Sequence, residues 1–201
     1  KLMGNVMDSH DKNRFMAYAD GDLDVTQWSA IEEGWNDPPK VDDPESYKKL
    51  ILYMAYMNTI PGLPVIYYGS EFGMTGASDP DNRRMMRFDK SLTEDEMRTR
   101  NEVSKIINLR KNHSALRYGD FYTLKADENI FAYTRSDANE RLLIVLNKSE
   151  DIQRANVTLP TAYQTYLLED LITGEKLPAE RGAAAIVVEG MSWRIFKLLE
   201  N

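Results

Sequence analysis

Cysteine is absent from the 201-residue sequence, so no disulfide, thiolate metal site or thiol nucleophile can form. No apolar run reaches the roughly 20 residues that a bilayer requires, which predicts no membrane span. Glycine-rich phosphate loops, nucleophile elbows and pairs of metal-binding histidines are missing as well. These absences exclude several kinds of chemistry but leave the cellular compartment open.

Positive charge is also in short supply. The 25 Lys and Arg are outnumbered by 32 Asp and Glu, which gives a net charge of −7. A nucleic-acid partner is therefore not expected, because phosphate binding needs a basic surplus. A neutral ligand is compatible with this charge. The composition, 42% hydrophobic and 28% charged, is ordinary for a globular chain with one large or two small cores.

Strand-like and helix-like segments alternate in the first part of the chain. Residues 2–8 read as a strand, 12–19 as a loop or short helical turn, and the polar stretch 20–42 as a surface insertion. An amphipathic helix is predicted from Asp43-Pro44 to the stop at Pro61-Gly62.

A second strand and a second helix follow. The apolar run Leu63–Gly69, bounded by turn residues, is typical of a strand buried on both faces of a parallel sheet. Thr93 and Glu96 form a capping box before a helix that continues to about residue 112. The order predicts a βαβα segment, although two strands cannot close a barrel of eight.

After Leu116 the pattern changes to short β-rich runs, which predict an antiparallel all-β module. A turn is predicted at Thr173-Gly174-Glu175, and the strand spacing of Trp193 places it in the core. The predicted strands are 129–134, 142–146, 156–159, 165–168, 185–188 and 193–199.

The run from Gly4 to Phe15 ends a strand in His10-Asp11, which places an imidazole and a carboxylate where barrel enzymes keep their chemistry. This run resembles the last short motif of the α-amylase superfamily, whose usual Asn-His-Asp reads Ser9-His10-Asp11 here. The Ser looks like the neopullulanase and cyclomaltodextrinase branch. The resemblance implies that Asp11 stabilises an oxocarbenium-like transition state and that His10 contacts the sugar. The alternatives are a helix cap or a partner of Arg14 for Asp11, and a structural role for His10.

Residues 62–71 and 79–84 are similar to the last barrel strand of that superfamily and the loop after it. The resemblance implies that Asp79 and Arg83 bind sugars on the non-reducing side of the cleaved bond. A carboxylate and a guanidinium can hold each other while they bind adjacent hydroxyls. The alternative is a structural ion pair in a surface turn.

The resemblance implies a fold of class α/β plus all-β. Residues 1–116 would be the seventh and eighth βα units of a TIM (β/α)8 barrel, and residues 117–201 an antiparallel β-sandwich. The superfamily carries its nucleophile and its general acid on earlier strands, so we expect both in a missing N-terminal part of the same enzyme. The chain alone would then be inactive.

The implied enzyme is a retaining hydrolase of α-1,4 and, as a further option, α-1,6 bonds. Its expected partners are α-glucan substrates such as maltooligosaccharides, pullulan or cyclodextrins, and we expect neither a cofactor nor a metal. Two other functions stay open, a glucan transglycosylase and a non-catalytic carbohydrate-binding or assembly module. The open edges of the two barrel strands also predict self-association.

Other residues with potential chemistry are weaker candidates. Asp8 and Asp11 are predicted to point to opposite faces of one strand, so they cannot flank one bond as a catalytic pair. Asp20–Asp24 alternates carboxylates like a calcium loop, but Val25 replaces the required Gly, which favours a solvated acidic loop. Four aromatic residues could stack on sugars: Trp28, Trp35, Tyr67 and Tyr68.

Overall fold

A computed structural model describes residues 3–163 and 165–200. The chain divides into two compact units. The first unit comprises Lys1–Met57 and Gly62–Asn108, and the second comprises Asn58–Pro61 and Leu109–Asn201. The predicted boundary between residues 116 and 117 stays a prediction.

The first unit contains a parallel pair of three-residue strands, β1 (Gly4–Val6) and β2 (Leu63–Val65). The predicted parallel order is correct, but both strands are shorter than expected, and Leu2 of the predicted strand lies outside the described residues. Leu63 and Val65 are 57% and 41% exposed, so the predicted burial on both faces is wrong. Among the described residues this sheet has only two strands, and the side chains of Val6, Leu63 and Val65 are exposed on them.

Four helices belong wholly or mainly to the first unit: α1 (Phe15–Asp20), α2 (Ile31–Asn36), α3 (Ser46–Thr59) and α4 (Glu94–Asn112). The last residues of α3 and α4 belong to the second unit. The capping box before α4 is confirmed, since Thr93 N donates to Glu96 Oε2 and Glu96 N to Thr93 Oγ1, at 2.9 and 3.2 Å. No helix in the described part of the chain is long and apolar enough to cross a membrane.

Helix α3 stops at the predicted Pro61-Gly62. Gly62 has φ +119°, and a Cβ there would lie 2.8 Å from the Asn5 side chain of β1. Glycine therefore serves two needs at this position, a left-handed turn and a close approach to the neighbouring strand.

The second unit is mostly β. After α5 (Ser114–Tyr118), a six-stranded antiparallel sheet has the order β3-β4-β5-β10-β7-β8, and β6 pairs with β9 in a two-stranded sheet. The strands are β3 (Asp120–Ala126), β4 (Ile130–Ser136), β5 (Arg141–Asn147), β6 (Gln153–Thr158), β7 (Thr165–Asp170), β8 (Lys176–Pro178), β9 (Ala183–Val188) and β10 (Ser192–Glu200).

Both sheets of the second unit contribute to one apolar core. Val145 of β5, Val157 of β6, Ile186 of β9 and Phe196 of β10 all belong to it. The predicted place of Trp193 in this core is wrong, because it is only partly buried. Side chains alternate along a strand, so Trp193 lies on the face of β10 opposite to Phe196.

Candidate functional site

Asp11 lies in a turn beyond β1 rather than on the strand itself. Lys12 N donates to Ser9 O at 3.4 Å, and Asp11 N donates to Ser9 Oγ at 3.1 Å. The Asp11 carboxylate is exposed to solvent in this turn, and its Oδ2 lies 3.1 Å from Nε2 of His10, which is also exposed. Both side chains are thus available to a ligand.

The backbone of this turn is held by the loop that follows β2. Asn82 Nδ2 donates to the carbonyls of His10 and Lys12, at 2.9 Å each. Arg83 adds two donors to the His10 carbonyl, Nε at 3.4 Å and Nη2 at 3.3 Å. The buried Asn82 therefore fixes the segment that carries His10 and Asp11.

Asp79 and Arg83 form the predicted ion pair, with 3.0 Å between Asp79 Oδ2 and Arg83 Nη2. Both side chains are about half exposed. Because Arg83 also donates to His10 O, the structure brings all four predicted site residues into one connected group. Pairing and exposure together allow the group to accept and donate hydrogen bonds to a polyhydroxyl ligand.

The cap that was considered for Asp11 is provided by Asp8. Asp8 Oδ1 accepts a hydrogen bond from Phe15 N, the first residue of α1, at 2.8 Å. Its Oδ2 accepts another from Ser70 Oγ at 2.6 Å. Burial raises the pKa of Asp8, whereas these two hydrogen bonds and Arg14 oppose the rise. Asp8 is buried and Asp11 is exposed, but both residues lie beyond β1 and both line one cavity, so the prediction that they point to opposite faces of one strand is wrong.

Arg14 is the supporting residue that the sequence did not reveal. It is fully buried, and it donates to the carbonyls of Tyr68 and Asn82 at 2.6 and 2.9 Å. Its guanidinium lies 4.3 Å from the ring centre of Tyr67 and 4.8 Å from that of Tyr68. Burial lowers the pKa of Arg14, and Asp8 partly compensates. Arg14 therefore joins the ends of both strands instead of pairing with Asp11.

Of the four aromatic candidates, two contact another side chain and two are exposed. Tyr67 and Tyr68 pack on Arg14, whereas Trp28 and Trp35 are 91% and 70% exposed.

The acidic stretch that resembled a calcium loop makes hydrogen bonds within the polar insertion. Asp20 accepts hydrogen bonds from the backbone N–H groups of Asp42 and Asp43. Asp22 accepts one from Lys40 N, and the described residues contain no group of three metal-ligating side chains. These carboxylates organise the polar insertion.

Residues 121–195 match the family described as Maltogenic Amylase, C-terminal domain. A cyclomaltodextrinase from Geobacillus thermopakistaniensis is 32% identical over 178 residues, 88% of this chain and 26% of the relative. An amylopullulanase from Thermoanaerobacter thermohydrosulfuricus is 28% identical over 95% of this chain and 13% of its own length. The chain thus spans about a quarter or less of these relatives.

Solved structures agree with the sequence comparison. The structure of an α-amylase from Geobacillus thermoleovorans, complexed with acarbose, aligns with all of this chain and 39% of its own. The TM-score is 0.78 and the identity 27%. The chain therefore belongs to the α-amylase superfamily, to whose C-terminal part it corresponds.

Proposed function

We propose that this chain is the C-terminal part of a retaining α-glucan hydrolase that cleaves α-1,4 and, as a further option, α-1,6 bonds in maltooligosaccharides, pullulan or cyclodextrins. The observation that carries the proposal is the connected group of Asp11, His10, Arg83 and Asp79, exposed to solvent and held by Asn82 and Arg14. These residues lie on the turn after β1 and the loop after β2. In a parallel barrel, such loops form the catalytic face.

The proposed barrel units and domain boundary follow the same reasoning. The parallel pair β1 and β2 with helices α3 and α4 would be the seventh and eighth βα units, within residues 1–116. The two sheets within residues 117–201 would form the β-sandwich. Right-handed crossover through one helix is the usual connection between such parallel strands.

Asp11 would act as the transition-state stabiliser. Cleavage of a glycosidic bond builds positive charge on the sugar ring, and an ionised carboxylate at that ring is stabilising mainly at that stage. His10 would donate a hydrogen bond to a hydroxyl of the same sugar. Asp79 and Arg83 would bind the next sugar on the non-reducing side. The nucleophile and the general acid would come from the rest of the enzyme, so this chain alone would be inactive.

The test is the kinetics of Asp11→Asn in the complete enzyme. The amide keeps the size of the side chain but removes its charge, so kcat should fall by about 10² or more with little change in KM. Asp42→Asn, which changes another exposed carboxylate of the first unit, should leave kcat unchanged. Asp79→Ala and Arg83→Ala should act mainly on KM.

Product analysis separates hydrolysis from its alternatives. Maltotetraose should give only shorter sugars, whereas products longer than the substrate would assign a transglycosylase. Binding of α-glucan without any turnover would assign a carbohydrate-binding module. A normal kcat for Asp11→Asn would remove the proposed role of this carboxylate.

A further inference from the structure

The loop after β2 contains one turn of 3₁₀ helix, Asp81–Arg83, whose three side chains face three different partners. Asn82 donates to the backbone of the turn that carries Asp11, and Arg83 pairs with Asp79. Asp81 has a partner of its own, Arg84. The proposed function uses the first two contacts and does not use the third.

The contact between Asp81 and Arg84 is a two-point ion pair. Arg84 Nε lies 2.8 Å from Asp81 Oδ1, and Arg84 Nη2 lies 2.7 Å from Asp81 Oδ2. Asp81 Oδ2 also accepts a hydrogen bond from Ala77 N at 2.8 Å. Only 12% of the Asp81 side chain is exposed, against 54% for Asp79. A shielded bidentate pair holds its geometry better than a half-exposed pair, which solvent screens.

Two glycines leave the room that Asp81 occupies. A Cβ on Gly34 of α2 would lie 2.9 Å from Asp81 Cβ, and a Cβ on Gly76 would lie 2.8 Å from Asp81 O. A larger residue at either position would therefore displace the 3₁₀ turn or its neighbour. Asp81 is thus confined by close packing as well as by hydrogen bonds.

Arg84 extends this contact to the polar insertion. Its Nη1 donates to Pro39 O at 2.9 Å. The next residue, Lys40, is itself anchored, because its backbone N donates to Asp22 Oδ2 at 2.8 Å. Arg84 therefore fixes Asp81 against a segment of backbone that is held from a second side.

We infer that Asp81 is a positioning residue for the Asp79–Arg83 pair, and that its two-point contact with Arg84 sets the affinity of the complete enzyme for the sugar which that pair binds. The inference rests on the proposed function, which assigns to the pair the sugar next to Asp11 on the non-reducing side. Asp81 fixes the turn that separates Asp79 from Arg83. The carboxylate and the guanidinium are then already arranged before the sugar arrives, which lowers the cost of ordering them on binding.

Two glycosyl fluorides separate this sugar from its neighbour. α-Maltosyl fluoride places one sugar at Asp11 and one at the Asp79–Arg83 pair, whereas α-glucosyl fluoride places a sugar at Asp11 alone. Asp81→Asn should lower kcat/KM of the complete enzyme for α-maltosyl fluoride about tenfold, since a hydrogen bond to a charged group is worth about one power of ten. The value for α-glucosyl fluoride should not change, because the contacts of Asn82 with the Asp11 turn do not involve Asp81.

Arg84→Lys is the second variant, since lysine keeps the charge but cannot form the two-point contact. It should lower kcat/KM for α-maltosyl fluoride only. Asp95→Asn is the matched control, because Asp95 and Arg98 form another pair with the same i, i+3 spacing in the first unit. It should leave the values for both fluorides unchanged. Thermal unfolding sets a temperature at which every variant is folded, and the rates are compared there.

A double-mutant cycle distinguishes positioning from a loss of stability. In an enzyme that carries both Asp79→Ala and Arg83→Ala, Asp81→Asn should cause no further loss of kcat/KM for α-maltosyl fluoride, although it should still lower the melting temperature. An additive further loss of kcat/KM would overturn the inferred role. Equal losses on both fluorides for Asp81→Asn alone, or no loss on either, would also overturn it.

Asp79→Ala by itself distinguishes this failure from failure of the proposed function. If Asp79→Ala lowers kcat/KM for α-maltosyl fluoride while Asp81→Asn remains normal, only the positioning role is wrong. If Asp79→Ala is normal, or the unmodified enzyme turns over neither fluoride, the proposed function fails and the inferred role fails with it.

Discussion

The two units of this chain are stabilised in different ways. The second unit buries a core of thirteen apolar residues between its two sheets, and long strand pairs supply the backbone hydrogen bonds. The first unit also buries apolar side chains, among them Met54 and Ile106, but its two strands are only three residues long and their Val6, Leu63 and Val65 side chains are exposed. Polar side chains hold the loops after these strands. The candidate site residues are therefore carried by the unit with the shorter strands, on loops that hydrogen bonds hold.

Cutting the chain between residues 108 and 109, which leaves Asn58–Pro61 of the second unit on the first fragment, should have the largest effect. We expect residues 109–201 to unfold cooperatively in isolation, because nearly all of their core and strand pairing is internal. Residues 3–108 should instead self-associate, because the faces and edges of β1 and β2 are uncovered. Circular dichroism and light scattering over a range of concentrations would measure both. If the fragment 3–108 were monomeric and folded cooperatively while the fragment 109–201 were unfolded, the expected difference in stability between the two units would be contradicted.

Each unit also contains one fully buried arginine that donates to backbone carbonyls. Arg14 donates to the carbonyls of Tyr68 and Asn82. Arg135 donates to the carbonyls of Gly119 and Asp120, at 3.0 and 3.2 Å, and also to the Thr59 carbonyl. Burial, together with the nearby Arg110, lowers the pKa of Arg135 to about 10. Both arginines thus join segments that are far apart in the chain.

Replacing either arginine with methionine should cost about 3 kcal/mol in the free energy of unfolding, because buried carbonyls lose their donors. Arg14→Met should also lower kcat in the complete enzyme, since Arg14 holds Asn82 and hence the Asp11 turn. Arg135→Met should not. Denaturant titration and substrate kinetics measure the two effects, with the exposed Arg154→Met as a control that changes neither. Full activity in Arg14→Met would show that the Asp11 turn does not need this support.

Each unit also has a buried asparagine whose side chain donates to backbone carbonyls, and these two residues allow a second comparison of the units. Asn82 joins the carbonyls of His10 and Lys12, and Asn147 joins those of Asp151, Val188 and Glu189. In each case one side-chain amide donates to more than one backbone carbonyl.

Asn82→Asp and Asn147→Asp should each destabilise by about 2 kcal/mol, because a carboxylate cannot donate and repels the carbonyl oxygens. Only Asn82→Asp should also reduce kcat, since it releases the turn that carries Asp11. Thermal unfolding and kinetics of both variants, beside the exposed Asn156→Asp, would test this difference. Equal kinetic effects of the two buried substitutions would contradict it.

The sequence predicted the second unit better than the first for a physical reason. Short apolar runs identified β4 and β5, which are buried along almost their whole length, and β9, whose burial alternates from residue to residue. The same signal missed β3 and β8, an almost fully exposed strand and a three-residue strand ending in proline. Neither strand has the buried face that produces a periodic pattern.

The candidate site residues were proposed from two short runs of sequence, whereas the residues that support them were not predicted. His10, Asp11, Asp79 and Arg83 stand in recognisable runs, whereas the roles of Arg14 and Asn82 arise from contacts across some seventy positions of sequence. A polar residue that becomes buried through tertiary contacts leaves no local signal in its own segment. The exposure of β1 and β2 was missed for a similar reason. An apolar run predicts that a strand is buried, but it does not identify the residues that would cover the strand.

The smallest predicted effect contrasts a buried carboxylate in the first unit with an exposed one in the second. Burial raises the pKa of Asp8 above its ordinary 3.8, whereas hydrogen bonds from the backbone N–H groups of Ile130 and Asn129 lower the pKa of Asp127. Folding therefore takes up a proton at Asp8 over a window that extends upward from 3.8. At Asp127 it releases one over a window that extends downward from 3.8.

The two groups should consequently give pH dependences of opposite sign. As pH rises through its window, Asp8 contributes progressively less to stability, so the stability of Asp8→Asn relative to the unmodified chain should improve. Asp127 stabilises the fold above pH 3.8 and loses this contribution as pH falls. The stability of Asp127→Asn relative to the unmodified chain should therefore be lowest at neutral pH. Denaturant unfolding between about pH 3 and about pH 7 would measure both differences. Parallel slopes for the two variants would show that the buried carboxylate of the first unit is no more costly to ionise than an exposed one of the second.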